Sequence, residues 1–303
     1  MITPYRDGKI DISAVEALTE WYWKQGCDGI FAACQSSEIM YLSLEERVML
    51  TRTVIAKAKA LAAADSSRDP MMIVASGHVS EDFDKQVEEL CAIAAEGPDA
   101  VILVTNRMDI ENTCDDKWIE DTDRLISRLP ADMPLGIYEC PLPYKRLLSD
   151  RMIKWCADNG RFYFLKDTCC DAPTLKKRAA ICEGSNLKIF NANTQTLLES
   201  MRDGAYGFCG VFANVQPRLY SKMLEDLYAK DAELLQGYLS TAELVVKYTY
   251  PCCAKYYLDK HEGVSMTCAA RSVDDSGFTD YQKRCVDQFA LVAKAVEKMV
   301  FEE

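Results

Sequence analysis

The chain has 303 residues, of which 49% are apolar and 27% charged, ordinary globular values that exclude a wholly disordered chain. Its net charge of −12 at pH 7 argues against a general nucleic-acid-binding surface. Fourteen cysteines stand against two histidines, and no CxxC pair occurs. With no secretory leader or long apolar segment in view, we expect a cytoplasmic protein with reduced thiols, no metal site and no membrane span.

The first part of the chain alternates apolar runs with helical patterns. Residues 1–3 form a short apolar fragment, and a helix is predicted over residues 11–26. Residues 28–33 have the composition of a buried strand. Ser43, with Glu46 three positions later, is typical of a capping box that opens a helix.

The same alternation continues to about residue 216. Further strands are predicted at 71–76, 100–105, 135–138, 162–165, 187–190 and 207–211. Helical patterns fill the gaps at 80–96, 117–128, 150–158, 172–182 and 194–203. Such alternation is typical of a parallel sheet covered on both faces. With the fragment at residues 1–3, the strands predict an α/β fold of the (β/α)8 TIM-barrel type. An open doubly wound sheet is the alternative, although no glycine-rich phosphate-binding motif follows a strand.

The strand–helix alternation stops near residue 217. From there the pattern is helical, near residues 217–236, 238–248, 250–260 and 278–300. We therefore predict two parts, a (β/α)8 barrel over residues 1–216 and a C-terminal helical extension over residues 217–303.

A lysine and a tyrosine stand at the ends of two neighbouring predicted strands, where barrels place their functional side chains. Lys166 follows the apolar run 162–165. Apolar surroundings favour the neutral amine of a lysine, the form that attacks a ketone to give a Schiff base. Tyr138 ends the preceding strand, a position suited to proton transfer. The alternative is a solvated lysine without a catalytic role.

The spacing of these two residues resembles a family signature. Tyr138-x-x-Pro141, followed 28 residues after the tyrosine by Lys166 within Leu-Lys-Asp-Thr, is similar to the second signature of the dihydrodipicolinate synthase / N-acetylneuraminate lyase family. The resemblance covers most of the chain, including residues 3–5, 35–46 and 207–214. It implies a (β/α)8 barrel with a C-terminal helical extension, assembled as a homo-oligomer (tetramer or dimer). It also implies a class I Schiff-base lyase, aldolase or synthase acting on pyruvate or another 2-oxo acid.

Roles follow from the resemblance position by position. Lys166 matches the Schiff-base lysine and Tyr138 the proton shuttle. Gln35 and Ser36 match the two hydroxyl residues that bind the 2-oxo acid carboxylate, and Ser37 belongs to the same turn. Two further candidate substrate-binding residues are Cys209 and Asn191. The iminium serves as the electron sink, so neither a metal nor an organic cofactor is expected.

The carboxylate-binding turn departs from the family pattern. Cys34 and Ser37 replace glycines, and Gln35 replaces a hydroxyl residue. An amide can donate a hydrogen bond to a carboxylate, but it is a poor proton relay. A full relay through this turn is therefore not expected.

Other departures argue against the two best-known activities of the family. Residues 105–108 contain no tyrosine, which the synthase carries there, and Pro143 replaces its substrate-binding arginine. Candidate replacements for that cation are Lys145, Arg146 and Arg107. Residues 192–193 are Ala-Asn where the sialic acid lyase carries an acidic pair. We therefore expect neither dihydrodipicolinate synthesis nor sialic acid cleavage as the main activity.

Three hypotheses remain open from the sequence. The first is a carbon–carbon lyase or aldolase acting on pyruvate or another 2-oxo acid. The second is a Schiff-base dehydratase, a hydro-lyase, acting on a deoxy-keto sugar acid. The third, motivated by the altered turn at residues 34–37, is a non-catalytic relative that binds a 2-oxo acid. No nucleic-acid or membrane partner is expected.

Several other side chains are assigned to structure rather than to chemistry. Glu38 is predicted to be a hydrogen-bonding residue, His78 a loop residue and His261 a surface residue. Residues 176–178 are predicted to form a solvated helix face. Five cysteines are expected at or near the barrel mouth, mainly as packing residues: Cys34, Cys140, Cys169, Cys170 and Cys209.

Overall fold

The computed structural model describes residues 1–301. A short antiparallel hairpin of β1 (Tyr5–Arg6) and β2 (Lys9–Ile10) precedes the main sheet. The 7-stranded sheet runs in chain order: β3 (Gly29–Phe31), β4 (Met72–Ala75), β5 (Ala100–Val104), β6 (Leu135–Tyr138), β7 (Phe162–Asp167), β8 (Lys188–Asn191) and β9 (Gly207–Phe208). All neighbours in it are parallel, as the sequence pattern predicts.

Residues 1–3 do not form a regular strand, but they lie buried beside β3. The amino group of Met1 donates to the carbonyl oxygen of Phe31 at 2.8 Å. The fragment therefore contacts the sheet at the place where a first barrel strand belongs. The predicted fold class, a (β/α)8 barrel with a C-terminal helical extension, is confirmed.

Helices fill the connections between the strands. They are α1 (Ile12–Lys24), α2 (Leu44–Ala64), α3 (Phe83–Ala94), α4 (Asp115–Ile126), α5 (Asp150–Asn159), α6 (Ala172–Cys182) and α7 (Leu197–Arg202). The predicted capping box of α2 is confirmed, because the Ser43 hydroxyl accepts from Glu46 N at 3.2 Å and Glu46 Oε2 accepts from Ser43 N at 3.0 Å.

Four helices follow the last strand: α8 (Pro217–Glu225), α9 (Ala232–Lys247), α10 (Cys252–Glu262) and α11 (Asp280–Phe301). The single helix predicted over 217–236 is wrong, since residues 226–231 break it. Asp226 Oδ1 accepts from Tyr228 N at 2.9 Å, a local turn that competes with helix. Residues 302–303 of the predicted extension lie outside the described residues, and the boundary at residue 216 stays a prediction. No helix within residues 1–301 is long and apolar enough to cross a membrane.

Alternation along the strands separates two apolar cores. On β5, Ile102 and Val104 belong to a small cluster inside the barrel, whereas Val101 and Leu103 belong to the large core under the helices. The inner cluster is rich in aromatic rings and thiols: Phe31, Cys34, Ala100, Ile102, Val104, Tyr138, Cys140 and Phe164. The same period of two decides whether each strand-end residue faces the barrel interior or the helices.

Candidate active site

Lys166 lies on β7 among aromatic rings. Lys166 is 6% exposed, and its Cα is paired in register with that of Tyr138 on β6. The Nζ atom lies 4.6 Å from the centroid of the Tyr138 ring and 5.6 Å from that of Phe31. These ring faces can stabilise a cation at Nζ, whether an ammonium or an iminium.

The Tyr138 hydroxyl is held in place by Gln35. It donates to Gln35 Oε1 at 2.9 Å, and the Tyr138 ring packs edge-on against Phe31 with centroids 5.7 Å apart. Burial raises the pKa of Tyr138 well above its ordinary value, and neighbouring thiols raise it further. The hydroxyl therefore keeps its proton near neutral pH and is oriented as a hydrogen-bond donor.

The three residues of the 3-10 turn Gln35–Ser37 face different surroundings. Ser37 is fully buried, and its hydroxyl contacts the carbonyl oxygens of Met1, at 2.9 Å, and of Ala32. Burial raises the pKa of Tyr250 well above its ordinary value, and a hydrogen bond with the Ser36 side chain acts against that rise. The first N–H groups of such a turn have no acceptor within it. Gln35 and Ser36 thus remain candidates for an anion site, whereas the Ser37 side chain is committed to holding the turn.

The structure does not bring the Asn191 side chain to Lys166. Asn191 Oδ1 accepts from Asn193 N at 2.7 Å, and Nδ2 donates to the hydroxyls of Thr196 at 3.0 Å and Ser200 at 2.9 Å. Its neighbour Phe190 packs against the inner cluster, so Asn191 faces the opposite side of β8. The predicted substrate contact at Asn191 is therefore not supported by this geometry.

Three thiols lie in or against the inner cluster of the barrel, beside Lys166. Cys34 and Cys140 belong to the inner cluster, and Cys209 packs against it. Burial raises the pKa of Cys140 and of Cys209. Burial also acts on Cys34, but the amino group of residue 1, Lys166 and the hydrogen bonds with Ser37 outweigh it and lower the pKa of that thiol to about 7.

The other cysteines predicted near the mouth lie outside this cluster. Cys169 is half-buried and Cys170 is exposed. Within residues 1–301, no group of three or more histidine, cysteine or acidic side chains is arranged to hold a metal ion.

The cations proposed to replace the missing arginine are engaged elsewhere or exposed. Arg107 is buried and donates through Nη1 to Val79 O at 3.0 Å. Arg146 is buried and pairs with Asp109 Oδ2 at 2.9 Å. Arg107 and Asp109 line a cavity of about 450 Å³ whose lining includes neither Lys166 nor Tyr138. Lys145 is exposed.

A buried ionic cluster behind the site was missed by the sequence analysis. Arg178 Nη1 lies 2.9 Å from Glu139 Oε1 and also contacts Asp167 Oδ2, and the side chains are 3%, 0% and 0% exposed. The prediction that residues 176–178 form a solvated face is wrong for Arg178 alone, since Lys176 and Lys177 are exposed. A signal was available, because Leu175, Arg178 and Cys182 follow helical spacing along the buried face of α6.

His78 lies in the loop after β4, as predicted, whereas His261 is less exposed than the surface position predicted for it. His78 is fully buried; its Nδ1 accepts from Val104 N at 3.0 Å, and its Nε2 lies 2.6 Å from Gln86 Oε1. Burial lowers the pKa of His78 to about 4. His261 is only partly exposed and lies 2.8 Å from Asp287 Oδ1. These contacts assign both rings to packing rather than to the mouth.

Glu38 has the structural surroundings predicted for it. Its carboxylate accepts from the backbone N–H groups of Arg271 and Ser272, both at 2.7 Å. Lys255, fully buried, places Nζ 3.3 Å from Glu38 Oε2. Residues of the C-terminal segment thereby fix the position directly after the Gln35–Ser37 turn.

Comparisons with known proteins agree with this architecture. The model of the dihydrodipicolinate synthetase family matches residues 1–63. The 4-hydroxy-tetrahydrodipicolinate synthase of Rickettsia prowazekii is 23% identical over 239 residues, 77% of this chain and 74% of that protein. The dihydrodipicolinate synthase of Acinetobacter baumannii, solved with pyruvate, superposes with a TM-score of 0.79 at 22% identity, covering 95% of each chain. Sialic acid aldolase of Ruminococcus gnavus superposes with a TM-score of 0.83 at 17% identity, covering 99% of this chain and 97% of that one.

Proposed function

We propose that this chain is a member of the dihydrodipicolinate synthase / N-acetylneuraminate lyase family and a class I lyase of the aldolase type that acts on pyruvate or another 2-oxo acid. The observation that carries the proposal is the placement of Lys166 and Tyr138. A buried amine faces the barrel interior, and a tyrosine hydroxyl lies on the adjacent strand at the same register. Lysine is the side chain that forms a Schiff base with a ketone, and a neighbouring hydroxyl can carry the protons.

The proposed reaction runs through a lysine iminium. The neutral amine of Lys166 adds to C2 of the 2-oxo acid, and the carbinolamine loses water as the Tyr138 hydroxyl supplies a proton. The deprotonated Tyr138 then takes the proton of the C4 hydroxyl as the C3–C4 bond breaks. The electron pair of that bond passes to the iminium, which gives an enamine and an aldehyde. In the synthetic direction the enamine adds to the aldehyde. In the cleavage direction, the Tyr138 hydroxyl protonates the enamine at C3 and restores the iminium. Hydrolysis of the iminium returns the free lysine.

The carboxylate of the 2-oxo acid is proposed to bind at the Gln35–Ser37 turn, which follows β3. The amide N–H groups of Gln35 and Ser36 and the Ser36 hydroxyl supply the donors. Gln35 also connects this turn to the chemistry, since its Oε1 accepts from the Tyr138 hydroxyl at 2.9 Å. The substrate carboxylate would thus lie next to the proton donor.

The group added to or cleaved from the enamine is proposed to be small and uncharged. Arg107 and Arg146 are committed to other partners, and Asn191 faces away from the site. The inner wall consists of aromatic rings, aliphatic groups and thiols. Burying a second carboxylate or a polyol against such a wall, without partners, is unfavourable. This wall favours aldol chemistry with a simple aldehyde over dehydration of a hydroxyl-rich sugar acid.

A second candidate is supported by one feature of the site. The Tyr138 hydroxyl bonds to an amide oxygen, which accepts a hydrogen bond but cannot pass a proton onward. A relative that forms the Schiff base and does not turn over is therefore the alternative proposal.

Borohydride trapping tests both candidates. The protein is incubated with pyruvate, 2-oxobutanoate or a 2-keto-3-deoxy sugar acid, reduced, digested and mapped by mass. We expect an adduct on Lys166, its loss in Lys166→Met, and its retention in Lys176→Met, a change at an exposed lysine. An adduct accompanied by turnover of an aldehyde supports the aldolase. An adduct without turnover on a broad aldehyde panel supports the binding protein, and no adduct on Lys166 with any of these acids refutes both.

Assembly and location are part of the same proposal. We propose that the chain acts as a cytoplasmic homo-oligomer, as the family resemblance implies. Measuring mass by sedimentation at catalytic concentration checks this, and a monomer that is fully active would contradict it.

A further inference from the structure

The residues directly after Tyr138 and Lys166 form the buried ionic cluster. Glu139 follows Tyr138, and Asp167 follows Lys166, and both are completely buried. Because side chains alternate along a strand, these two carboxylates face the helices while their neighbours face the barrel interior. Arg178 reaches them from α6, with its guanidinium 2.9 Å from Glu139 Oε1 and in contact with Asp167 Oδ2. The cluster therefore lies on the other side of the same two strands that carry the proposed chemistry.

The Glu139 carboxylate continues the connection between β6 and β7 beyond their last backbone hydrogen bond. The backbone pairing ends where Glu139 N donates to Lys166 O at 3.2 Å. Past that point Glu139 Oε2 accepts from Thr168 N at 2.9 Å, and the Thr168 hydroxyl donates to Glu139 O at 2.8 Å. On its other oxygen, Glu139 accepts from Leu148 N at 2.8 Å. One side chain thus holds three segments of chain around the end of β6.

The cluster holds two carboxylates and only one guanidinium group. Burying these charges costs free energy that apolar side chains in the same place would not cost. Burial and the nearby carboxylate of Asp167 raise the pKa of Glu139 above its ordinary value, against the effect of Arg178. Buried ion pairs contribute little to stability compared with apolar packing of the same volume. In some proteins such buried polar groups fix geometry instead, because directed charge-assisted hydrogen bonds allow few alternative arrangements.

We infer that Glu139 is a positioning residue, which, with Asp167 and Arg178, sets the distance between the Tyr138 hydroxyl and the Lys166 amine. This inference rests on the proposed Schiff-base function. The two side chains are in contact, since Lys166 Nζ lies 4.6 Å from the Tyr138 ring centroid. A displacement of about 1 Å at a reacting centre can cost on the order of 100-fold in rate.

The chain provides a matched control for the test. Glu89 is also a buried carboxylate that accepts from two backbone N–H groups, those of Val79 and Ser80, both at 3.0 Å. It also pairs with a buried arginine, Arg47, at 3.1 Å. Val79 and Ser80 follow β4 and Arg47 lies on α2, so none of these partners is on the strands that carry Tyr138 and Lys166. Glu139→Gln and Glu89→Gln therefore remove the same kind of contact at two different places.

The first measurement is the rate of borohydride-trapped adduct formation on Lys166 against pyruvate concentration. We expect Glu139→Gln to lower the maximal rate by about tenfold to 100-fold, while the half-saturating pyruvate concentration changes by less than about threefold. Glu89→Gln is expected to stay within about threefold of the wild type in both values. Equal effects of the two variants, or none from Glu139→Gln, would overturn the inference while leaving the proposed function intact.

A second measurement does not need the proposed chemistry. Reductive methylation with formaldehyde, mapped by mass, gives the rate at Lys166 relative to the exposed Lys176. We expect Glu139→Gln to change this ratio and Glu89→Gln to leave it unchanged. If the ratio is unchanged in both variants, the inference that Glu139 positions Lys166 is refuted. If the wild type forms no adduct with any 2-oxo acid, the proposed function fails and this ratio decides the inference. Should Glu139→Gln not fold, Thr168→Val, which removes the hydroxyl donor to Glu139 O, serves in both measurements with a smaller expected change in the same direction.

Discussion

Replacing Tyr138 with phenylalanine separates the proton-transfer role from packing. The ring contacts with Phe31 and Lys166 are kept, and the hydrogen bond to Gln35 Oε1 is lost. Because Gln35 is partly exposed, water can replace that bond, and we expect a stability loss of about 1 kcal/mol. Loss of a general acid–base group typically costs about 10²–10⁴-fold in rate. This corresponds to about 3–5 kcal/mol of activation free energy.

The assay compares turnover of a 2-oxo acid and aldehyde with the free energy of unfolding in urea. Tyr220→Phe is the control, because it also removes a buried hydroxyl contact, 2.7 Å from Thr194 Oγ1, but lies against Phe208 away from the site. We expect Tyr220→Phe to lose at least as much stability as Tyr138→Phe, because Thr194 is fully buried and water cannot readily replace its lost contact. Only Tyr138→Phe is expected to lose activity. Turnover of Tyr138→Phe within about threefold of Tyr220→Phe would refute the assignment of the tyrosine as proton shuttle.

Three further predictions concern stability and reactivity. The unfolded chain protonates His78 near pH 6.5 and the folded chain only near pH 4, so the contribution of His78 to stability falls by about 3 kcal/mol as pH drops through that range. The difference in unfolding free energy between the wild type and His78→Asn, measured at pH 7 and at pH 4, should therefore shrink by that amount. A difference that stays constant contradicts this prediction. Lys255→Met leaves the Glu38 carboxylate without its buried cation and should cost about 3–5 kcal/mol in urea unfolding, with part of this recovered in the double variant with Glu38→Gln; no recovery would mean that the pair is not coupled. Iodoacetamide should label the exposed Cys170 well before the buried Cys34 without changing 2-oxo acid adduct formation, and rapid labelling of Cys34 would show that the wall opens.

Much of the fold follows from local patterns that the sequence shows directly. Seven strands and the helices between them are predicted because apolar runs and helical periodicity are properties of short segments. Where prediction went wrong, as at residues 226–231, a local side chain competes with the helix in a way that periodicity does not report.

The pairing of Tyr138 with Lys166 is visible in the sequence because the two residues end consecutive strands. In a parallel sheet consecutive strands are neighbours, so the spacing alone places them at one edge. The side of the strand to which an individual side chain points is harder to predict from the sequence. A shift of one residue reverses the side of a strand to which a side chain points, and that is how Asn191 turns towards α7 rather than towards the site.

Local sequence patterns are thus enough to predict the order of the elements, the barrel and the pair of residues proposed for the chemistry. Which polar residues remain free to act depends instead on contacts that form when the chain folds. Ser37 is committed to the fragment at residues 1–3, and Arg178 to carboxylates on two strands. Each of these partners is distant in sequence, and a buried polar group must be satisfied by whichever group the fold brings to it. That requirement separates the residues left for substrate from those that hold the site together.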